Sequence, residues 1–374
     1  MNILVPNLGS TSLKYQLIEF PSRNTLARGR LERVGRPDGD APTYRQAVER
    51  TLASEHRIDG VGFKAVHAGP GYRGTHLVDD GFLAALAEYE PAAPLHNGIY
   101  LEGIRTFREL RPELPLVAVT EPGFHRTIPD HAVTYGVPRA WAEEHGVRKY
   151  GFHGASHRFV SERAPAILGW EAERLRLVSC HLGGSSSMCA VRFGNSVDVS
   201  MGFSPQSGLE NATRHGDLDA FAVLFMMDRL GLGAAEMRRL LLAEGGLSGI
   251  SGVPGGDVRD IESAADGGSA EAKLALDVFA YEIRKTIGAF AAAMGGIDAV
   301  SFTGGIGENS ARLRAAACEG LEFLGLRINA ETNQEGSGDR LISAADSSVD
   351  AVVLATNEEI IVGRETARLL SESA

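Results

Sequence analysis

Two short segments, about half the chain apart, follow the same pattern of strand, Gly/Ser-rich turn and strand. Residues 3–20 read ILVPNLGSTSLKYQLIEF, and residues 177–193 read LVSCHLGGSSSMCAVRF. Glycine lets the backbone turn tightly near a ligand, and a run of small residues can aim several N–H and O–H donors at one anion. The repeat predicts two similar domains that face each other across a cleft and hold phosphate between them. A pair of ordinary hairpins is the plainer alternative.

Composition narrows the class of protein. A chain of 374 residues is long for one hydrophobic core, so two domains are expected. The net charge of −11 argues against nucleic acid as a partner, although a nucleotide needs only a local basic pocket. The three cysteines lack zinc spacing and suit reduced thiols. No apolar stretch approaches a membrane span or a signal peptide, so we expect a cytoplasmic protein without a membrane partner.

Strand and helix patterns alternate along the chain, which predicts an α/β architecture with ligands at the C-terminal edges of strands. Residues 22–42 are predicted to form surface turns, and Asp217 is predicted to cap a helix that Gly231 ends. The longest helix is predicted over 270–294, with Leu274, Val278, Tyr281 and Ile287 near one stripe. That helix is a candidate subunit interface or, equally, a buried core helix.

Residues 304–307 (GGIG) lie between a predicted strand and a predicted helix, where free N–H groups and the helix dipole attract phosphate. The dinucleotide-binding pattern is not met, because Ser310 stands where its third glycine belongs. A P-loop is also absent from the sequence. A plain tight turn is the alternative interpretation.

Three further residue types are candidates for chemistry. Arg214 precedes a predicted helix and could neutralise a transferring phosphoryl group, or be a surface arginine beside a carboxylate. His153 and His157 have i,i+4 spacing, but neighbouring glycines and the lack of a third ligand disfavour zinc, so a hydrogen-bonding role is expected for His153. Glu358 follows a strand and either complements the start of a helix or holds Mg²⁺.

Taken together, these parts resemble the acetate and propionate kinase family of the acetokinase/sugar kinase/Hsp70/actin superfamily, nearly end to end. The matching motifs are N-x-G-S-x-S-L-K-Y at 7–15, A-P-L-H-N at 93–97, H-G-V-R-K-Y-G-F-H-G-x-S-H at 145–157, C-H-L-G at 180–183, S-M-G-F at 200–203, T-x-G-I-G-E-N-S at 303–310 and T-N-E-E at 356–359.

The resemblance implies a fold and an activity. The fold would be α/β, with two similar ribonuclease H-like (actin-like ATPase) domains facing across a nucleotide cleft. The domains would comprise residues 1–122 plus 358–374, and residues 123–357. The enzyme would use Mg²⁺ or Mn²⁺ to transfer the γ-phosphoryl group of ATP directly to a short carboxylate, acetate or propionate, giving ADP and an acyl phosphate. A homodimer is also implied.

The resemblance further assigns roles to residues. The implied catalytic residues are Lys64, Glu121, His153 and Arg214, and the implied metal-binding residues are Asn7 and Glu358. Those expected to contact the nucleotide and its phosphates are Asn7, Ser10, Ser12, Lys14, His181, Gly183, Gly184, Asp257, Val258, Arg259, Gly305, Ile306, Gly307 and Asn309. Those expected to line the pocket for the alkyl tail of the acid are Val66, Leu95, Phe152 and Pro205.

Three central positions depart from the family pattern, which usually has arginine, aspartate and asparagine where this chain has Lys64, Glu121 and Gly184. Lysine is a point charge and cannot clamp a carboxylate bidentately as arginine does. The departures therefore predict a changed acceptor, with drift in a weak paralogue as the alternative. Two other functions stay open: a kinase with another acid or with pyrophosphate as donor, and a nucleotide-binding paralogue without activity.

Overall fold

The computed structural model describes residues 1–373. The strands are β1 Asn2–Gly9, β2 Ser12–Glu19, β3 Thr25–Glu32, β4 Gly60–Ala65, β5 Thr75–Leu77, β6 Leu116–Thr120, β7 Arg176–His181, β8 Ser187–Arg192, β9 Asn195–Val199, β10 Ala299–Thr303, β11 Arg340–Leu341 and β12 Asp350–Val353. The helices are α1 Tyr44–Leu52, α2 Asp80–Glu88, α3 Asn97–Leu110, α4 Asp130–Val133, α5 Arg139–His145, α6 Gly154–Leu168, α7 Ala220–Leu230, α8 Ala234–Ala243, α9 Gly246–Ser251, α10 Val258–Asp266, α11 Ala270–Met294, α12 Gly304–Asn309, α13 Ala311–Cys318, α14 Ala330–Gln334 and α15 Glu358–Glu372.

The strands form two six-stranded sheets with the same topology. The first sheet has the order β3-β2-β1-β4-β6-β5, and the second has the order β9-β8-β7-β10-β12-β11 when read in the matching direction. In each sheet three strands form an antiparallel meander, two more add parallel to the first strand, and an antiparallel edge strand follows. The duplication predicted from the two hairpins is therefore confirmed at the level of whole sheets.

The chain divides into two compact units. Among the described residues, the first unit comprises 1–126, 143–146 and 357–373, and the second comprises 127–142 and 147–356. Residues 143–146 group with the first unit, which the sequence patterns did not indicate. Within residues 1–373, no helix has both the length and the apolar character that crossing a membrane requires.

In the first unit, helices cover both faces of the sheet. The inward sides of α1, α2 and α3 pack with Leu4, Leu13 and Leu17 in one apolar cluster. On the opposite face α15 lies very close to the strands, since a Cβ on Gly363 would come within 2.7 Å of the Phe20 ring. This close packing fixes the start of α15, and with it Glu358, against the ends of the central strands.

In the second unit the two faces of the sheet differ in character. One face carries Val178, Cys180, Val300 and Phe302, which pack with the long helix α11 in the main apolar core. The other face is covered by α6 and carries serine, threonine and histidine side chains. Parallel sheets covered by helices are normally apolar on both faces. Packing against a helix therefore does not explain why this face is polar.

The segment 22–42 is more ordered than the predicted surface turns. Thr25–Glu32 forms β3, which pairs with β2 from Ser12↔Glu32 to Ile18↔Thr25. Its arginine-rich sequence hides the strand pattern, but charged residues are common on edge strands, where they discourage pairing with other chains. A Cβ on Gly29 would lie 2.5 Å from the Tyr15 ring, so this glycine makes room for a cross-strand tyrosine.

Two helix predictions need correction in detail. Helix α7 is capped by Asp219, whose side chain accepts from the N–H of Phe221 at 2.8 Å, whereas Asp217 accepts from the N–H of Gly208. Gly231 ends α7 in the left-handed conformation, as predicted. The bounds of α11 are also confirmed, but its predicted stripe is only partly right, since Ile287 is buried and Val278 is half-buried. The side chains that α11 buries include Ala272, Ala275, Leu276, Phe279, Ile283, Ile287 and Phe290, whereas Leu274 and Tyr281 are exposed.

Candidate active site

The first hairpin is tighter than its sequence predicts. Strands β1 and β2 continue to the register pairs Asn7↔Lys14 and Gly9↔Ser12, so only Ser10 and Thr11 form the turn. A Cβ at position 9 would lie 2.6 Å from the Ser12 hydroxyl oxygen, which explains the glycine there. The structure thus brings the predicted phosphate-binding residues of this segment together at one hairpin end: Asn7, Ser10, Ser12 and Lys14.

The second hairpin has a longer loop, residues 182–186, after the register pair His181↔Ser187. Within the loop the backbone N–H of Gly183 donates to the Ser186 hydroxyl at 3.1 Å, and that hydroxyl donates to the Gly183 carbonyl. Space is open at Gly184, where an added Cβ meets nothing within 4 Å. An asparagine at this position is therefore not excluded by crowding.

A lysine and two carboxylates form a cluster in the first unit. Lys64 lies on β4, Glu121 directly follows β6, and Glu358 is the first residue of α15. The Lys64 ammonium forms a short ion pair with Glu358 and lies 3.6 Å from a carboxylate oxygen of Glu121. Because β4 and β6 are parallel neighbours, their C-terminal ends bring these groups together.

Electrostatics keeps the ammonium of this cluster charged. Burial opposes the charged form of Lys64, but the carboxylates of Glu358 and Glu121 outweigh it and hold the pKa of Lys64 well above its ordinary value. Glu121 is only 4% exposed, so its charge needs a nearby cation. The cluster is a compact set of one positive and two negative groups.

Arg214 is a buried arginine in the second unit, 5% exposed. Its guanidinium donates to the carbonyl of Pro205 at 2.8 Å and weakly to the amide oxygen of Asn211 at 3.5 Å. No carboxylate of residues 1–373 forms an ion pair with it, and burial lowers its pKa to about 10. The alternative of a surface arginine beside a carboxylate is therefore wrong. An unneutralised, buried guanidinium is suited to an anionic ligand.

His153 occupies an unusual backbone position before α6. It is the N-cap residue, in the left-handed conformation with φ 56° and ψ 29°. Its Nδ1 lies 2.8 Å from the Ser187 hydroxyl, and its ring lies 4.3 Å from the ring of His181. Among residues 1–373, no three His, Cys, Asp or Glu side chains are arranged to hold a metal ion. His153 and His181 are each held by a serine hydroxyl, that of Ser187 and that of Ser156 respectively.

A cavity of about 730 Å³ lies in the second unit beside the second hairpin loop. This volume is in the range of ligand-binding sites. The residues that line it and were predicted to contact the nucleotide are Gly183, Gly184, Asp257, Val258, Arg259, Gly305, Ile306 and Asn309. Two other predicted residues are not in its lining: His181 lies under α6, and Gly307 is buried against Phe302.

Polar contacts shape the rim of this cavity. The Asp257 carboxylate accepts two hydrogen bonds from the Arg259 guanidinium, at 2.6 and 3.0 Å, which lowers the pKa of Asp257 to about 2. The Asn309 amide donates to the Gly305 carbonyl at 2.8 Å. Sequence reasoning missed the lining residues Ala212, Gly255, Gly256, Glu262 and Ser310. The glycine pair directly before Asp257 was the available signal.

The four residues predicted for the alkyl pocket are divided between the units. In the first unit Val66 is buried and Leu95 is 46% exposed. In the second unit Phe152 is buried, and Pro205 accepts the hydrogen bond from Arg214.

Comparison with known proteins identifies the family. A family model described as "Acetokinase family" matches residues 43–364. The chain belongs to the acetokinase family. It is 42% identical to the acetate kinase of Clostridium botulinum (strain Kyoto), with all of both chains covered. It is 40% identical to the acetate kinase of Thermoanaerobacterium thermosaccharolyticum, over 99% of both.

Solved structures of acetokinases confirm the fold class. The Porphyromonas gingivalis acetate kinase superimposes with a TM-score of 0.88 at 36% identity, over 99% of each chain. The Francisella tularensis propionate kinase has the same TM-score at 32% identity, over 97% of this chain and 98% of its own. The two sheets are thus those of two similar actin-like ATPase domains.

Lys64 and Glu121, two of the positions expected to depart from the family pattern, form a pair in this structure. Lysine is shorter than arginine, and Glu121 is longer than aspartate by one methylene. In this chain a Glu121 carboxylate oxygen lies 3.6 Å from the Lys64 ammonium. The pair retains its charges, but an ammonium is a point charge in place of a planar fork.

Proposed function

We propose that this acetokinase transfers the γ-phosphoryl group of ATP to acetate, or to a carboxylate of similar size, and releases ADP and an acyl phosphate. The observation that carries the proposal is Arg214, a buried guanidinium that no carboxylate of residues 1–373 neutralises, in the same unit as the 730 Å³ cavity. Burying such a charge is costly unless an anion binds it. Whole-length relatives named acetate kinase support acetate as the acid.

The nucleotide would occupy the cavity of the second unit. Its glycine-rich lining offers space at Gly184 and Gly305, where an added Cβ would meet nothing within 4 Å, which suits close approach of a ligand. The carboxylate of Asp257, fixed by Arg259, offers an acceptor to the ribose side. Because the cavity and Arg214 belong to one unit, nucleotide and phosphoryl recognition would share one scaffold.

Arg214 and His153 would act on the transferring phosphoryl group. A metaphosphate-like transition state spreads charge over three oxygens, so positioning and charge neutralisation dominate its catalysis. Arg214 would supply the charge, and a ring N–H of His153 would donate a hydrogen bond. Lys64 and Glu121 would orient the acid, in line with their paired charges in the first unit.

A divalent ion, magnesium or manganese, would be held by Glu358 and Asn7 of the first unit. These residues fit such an ion, because carboxylate and amide oxygens are ligands that Mg²⁺ accepts and it takes its other ligands from phosphates and water. The Glu358 carboxylate already pairs with a cation, the Lys64 ammonium. When bound, the ion would neutralise charge on the phosphates.

We also propose a homodimer, and we place its interface at α7 rather than at α11. Every residue of α7 lies outside the core. Phe221 is 78% exposed, and Leu224, Phe225 and Leu230 are each more than half exposed. An apolar helix face of this kind is typical of an interaction surface. Phe221→Asp with Phe225→Asp should give a monomer in sedimentation velocity, and an unchanged mass would contradict this placement.

Trapping of the acyl phosphate as a hydroxamate tests the function. The protein is incubated with ATP and Mg²⁺ and with formate, acetate, propionate, butyrate or a hydroxy acid, and a parallel series uses pyrophosphate as donor. We expect strong signal with acetate or propionate and ATP. A signal only with another acid, or only with pyrophosphate, would show that the proposed acceptor or donor is wrong. No signal with any acid, beside ATP binding in calorimetry, would overturn the kinase proposal.

A further inference from the structure

The sheet face that α6 covers in the second unit is polar. Register places five hydroxyl- or imidazole-bearing residues side by side on this face: Ser179, His181, Ser187, Ser301 and Thr303. All except His181 are fully buried. Burying polar groups under a helix costs free energy unless they are hydrogen-bonded, and a satisfied network in return holds its members rigidly. The hydroxyls of Ser301 and Thr303 have no hydrogen-bond partner within residues 1–373, whereas Ser179, His181 and Ser187 are hydrogen-bonded. These three are therefore suited to holding a side chain in one orientation.

A chain of hydrogen bonds runs through this layer from His153 to the sheet. The Ser187 hydroxyl lies 2.8 Å from Nδ1 of His153 and 2.8 Å from Nε2 of His157. At its other nitrogen, Nδ1, His157 lies 2.9 Å from the Ser179 hydroxyl. His157 is fully buried and lies one helical turn after His153. The order is His153, Ser187, His157, Ser179.

The single hydroxyl hydrogen of Ser187 couples the two rings. A serine hydroxyl has one hydrogen, so it can donate to one imidazole nitrogen while it accepts from the other. If Ser187 donates to Nδ1 of neutral His153, the proton of His153 is on Nε2, and His157 must donate from its own Nε2. Ser179 then donates to Nδ1 of His157. If the donor and the acceptor of any one of these hydrogen bonds are exchanged, they must be exchanged in the others too, or one of the bonds is lost.

We propose that His157 is a positioning residue of the phosphoryl-transfer site: through Ser187 it places the proton of neutral His153 on Nε2. The inference rests on the proposed function, because it takes Nε2 of His153 as the donor to the phosphoryl group. A histidine's partner at one nitrogen determines what the other nitrogen can do. His157 and Ser179 thus influence phosphoryl transfer through His153, without contacting the substrates.

The tautomers can be read directly from ¹⁵N-histidine-labelled full-length protein by long-range ¹H–¹⁵N correlation at about pH 8.5, well above the usual pKa of histidine. Signals are assigned with His153→Gln and His157→Gln. We expect both rings as the Nε2–H tautomer. In Ser179→Ala, which touches His157 but not His153, the tautomer of His153 should become mixed.

Ser156→Ala is the matched control. Ser156 is equally buried and its hydroxyl also lies 2.8 Å from a histidine nitrogen, but that nitrogen belongs to His181. This variant should leave the tautomer of His153 unchanged. A Nδ1–H tautomer of His153 in the unaltered protein, or equal effects of the two serine variants, would overturn the inference. These readouts do not need activity, so they separate this inference from the kinase proposal.

Kinetics provides the second test. His157→Leu should lower kcat for acyl phosphate formation by about 10–100-fold, as is typical when a partner of a functional side chain is lost. The KM values for ATP and the acid should change by less than about threefold, because ground-state contacts remain. His157→Gln, whose amide can donate to Ser187, should recover most of the loss. Equal loss in both variants, or no loss in either, would contradict the positioning role. Should His157→Leu not fold, Ser179→Ala takes its place.

Discussion

Arg214→Ala should separate activity from stability in a way that few buried substitutions do. The guanidinium is 5% exposed, and its contacts are the Pro205 carbonyl and the Asn211 amide oxygen. At about 4 Å and an effective dielectric constant of about 20, it would interact with one phosphoryl charge by about 4 kcal/mol. At about 1.4 kcal/mol per tenfold change, and allowing for partial compensation, kcat should fall by about 10²–10³.

The same substitution should not destabilise the fold. Burial lowers the pKa of Arg214 from 12.5 to about 10, so the charged form is disfavoured in the folded state relative to the unfolded chain. That shift corresponds to a cost of up to about 3 kcal/mol at neutral pH. Removing the charge relieves this cost, which offsets the cavity and the loss of the Pro205 hydrogen bond and the weak Asn211 hydrogen bond. No carboxylate loses a partner. We therefore expect a thermal midpoint that is unchanged or raised, with kcat measured by hydroxamate trapping on the same samples.

Arg314→Ala is the matched control, because Arg314 is equally buried and its pKa is also lowered to about 10. Its guanidinium, however, donates to Asn333 and to the carbonyls of Gly307 and Glu308. Removing it strands these acceptors and leaves a cavity, at about 2–4 kcal/mol. Near-normal kcat in Arg214→Ala, or a fall in thermal midpoint as large as that of Arg314→Ala, would refute the role assigned to Arg214.

Three further predictions concern other parts of the chain. Lys64→Arg should improve acetate use if Lys64 marks a changed acceptor. In a double-mutant cycle of Lys64→Arg and Glu121→Asp, we expect a coupling of about 1 kcal/mol in transition-state free energy. Additive effects of the two substitutions would contradict the pairing. Gly184→Asn should fold normally and alter the KM for ATP, since its Cβ meets no atom. Burial raises the pKa of the Cys189 and Cys318 thiols to about 12, so the folded state retains their protons above pH 9. The free energy of unfolding should therefore fall between about pH 9 and 12, because the unfolded chain loses these protons first. The same thiols in the folded protein should resist alkylation at pH 8.

The fold was predictable because its strongest signals are local. A Gly/Ser turn between two apolar strands is visible in sequence, and α11 has a clear end at Gly295, which adopts the left-handed conformation. Strand β3 was missed because an edge strand rich in arginine has no apolar alternation to read. The stripe of α11 was misplaced because its inner face is built largely of alanine and phenylalanine, so that large apolar residues such as Leu274 and Tyr281 lie outside the core.

The candidate site was predictable only in part, for a different reason. Residue types and motifs indicated Lys64, Glu121 and Glu358 individually, but no spacing along the chain relates positions that are 294 residues apart. Their contact arises from two parallel strands and a helix that ends the chain. The hydrogen-bonded layer under α6 was also invisible, since serines on β7 and β8 look like ordinary strand residues until register aligns them.

The two units share one topology but carry different residue types at their strand ends. At the ends of its parallel strands the first unit places charge: Lys64 on β4 and Glu121 after β6. The equivalent strand ends of the second unit, after β10 and β12, carry uncharged residues: Gly305, where an added Cβ would meet nothing within 4 Å, and Thr356. The N–H groups of Gly304, Ile306 and Gly307, which the sequence predicted to be free for phosphate, instead donate to the Glu308 carboxylate and the Leu182 carbonyl. A scaffold fixed by hydrogen-bonded strands tolerates such divergence because side chains at strand ends carry little of the core packing. Substitutions at these ends, including Lys64, Glu121 and Gly184, should therefore change substrate use more than they change stability.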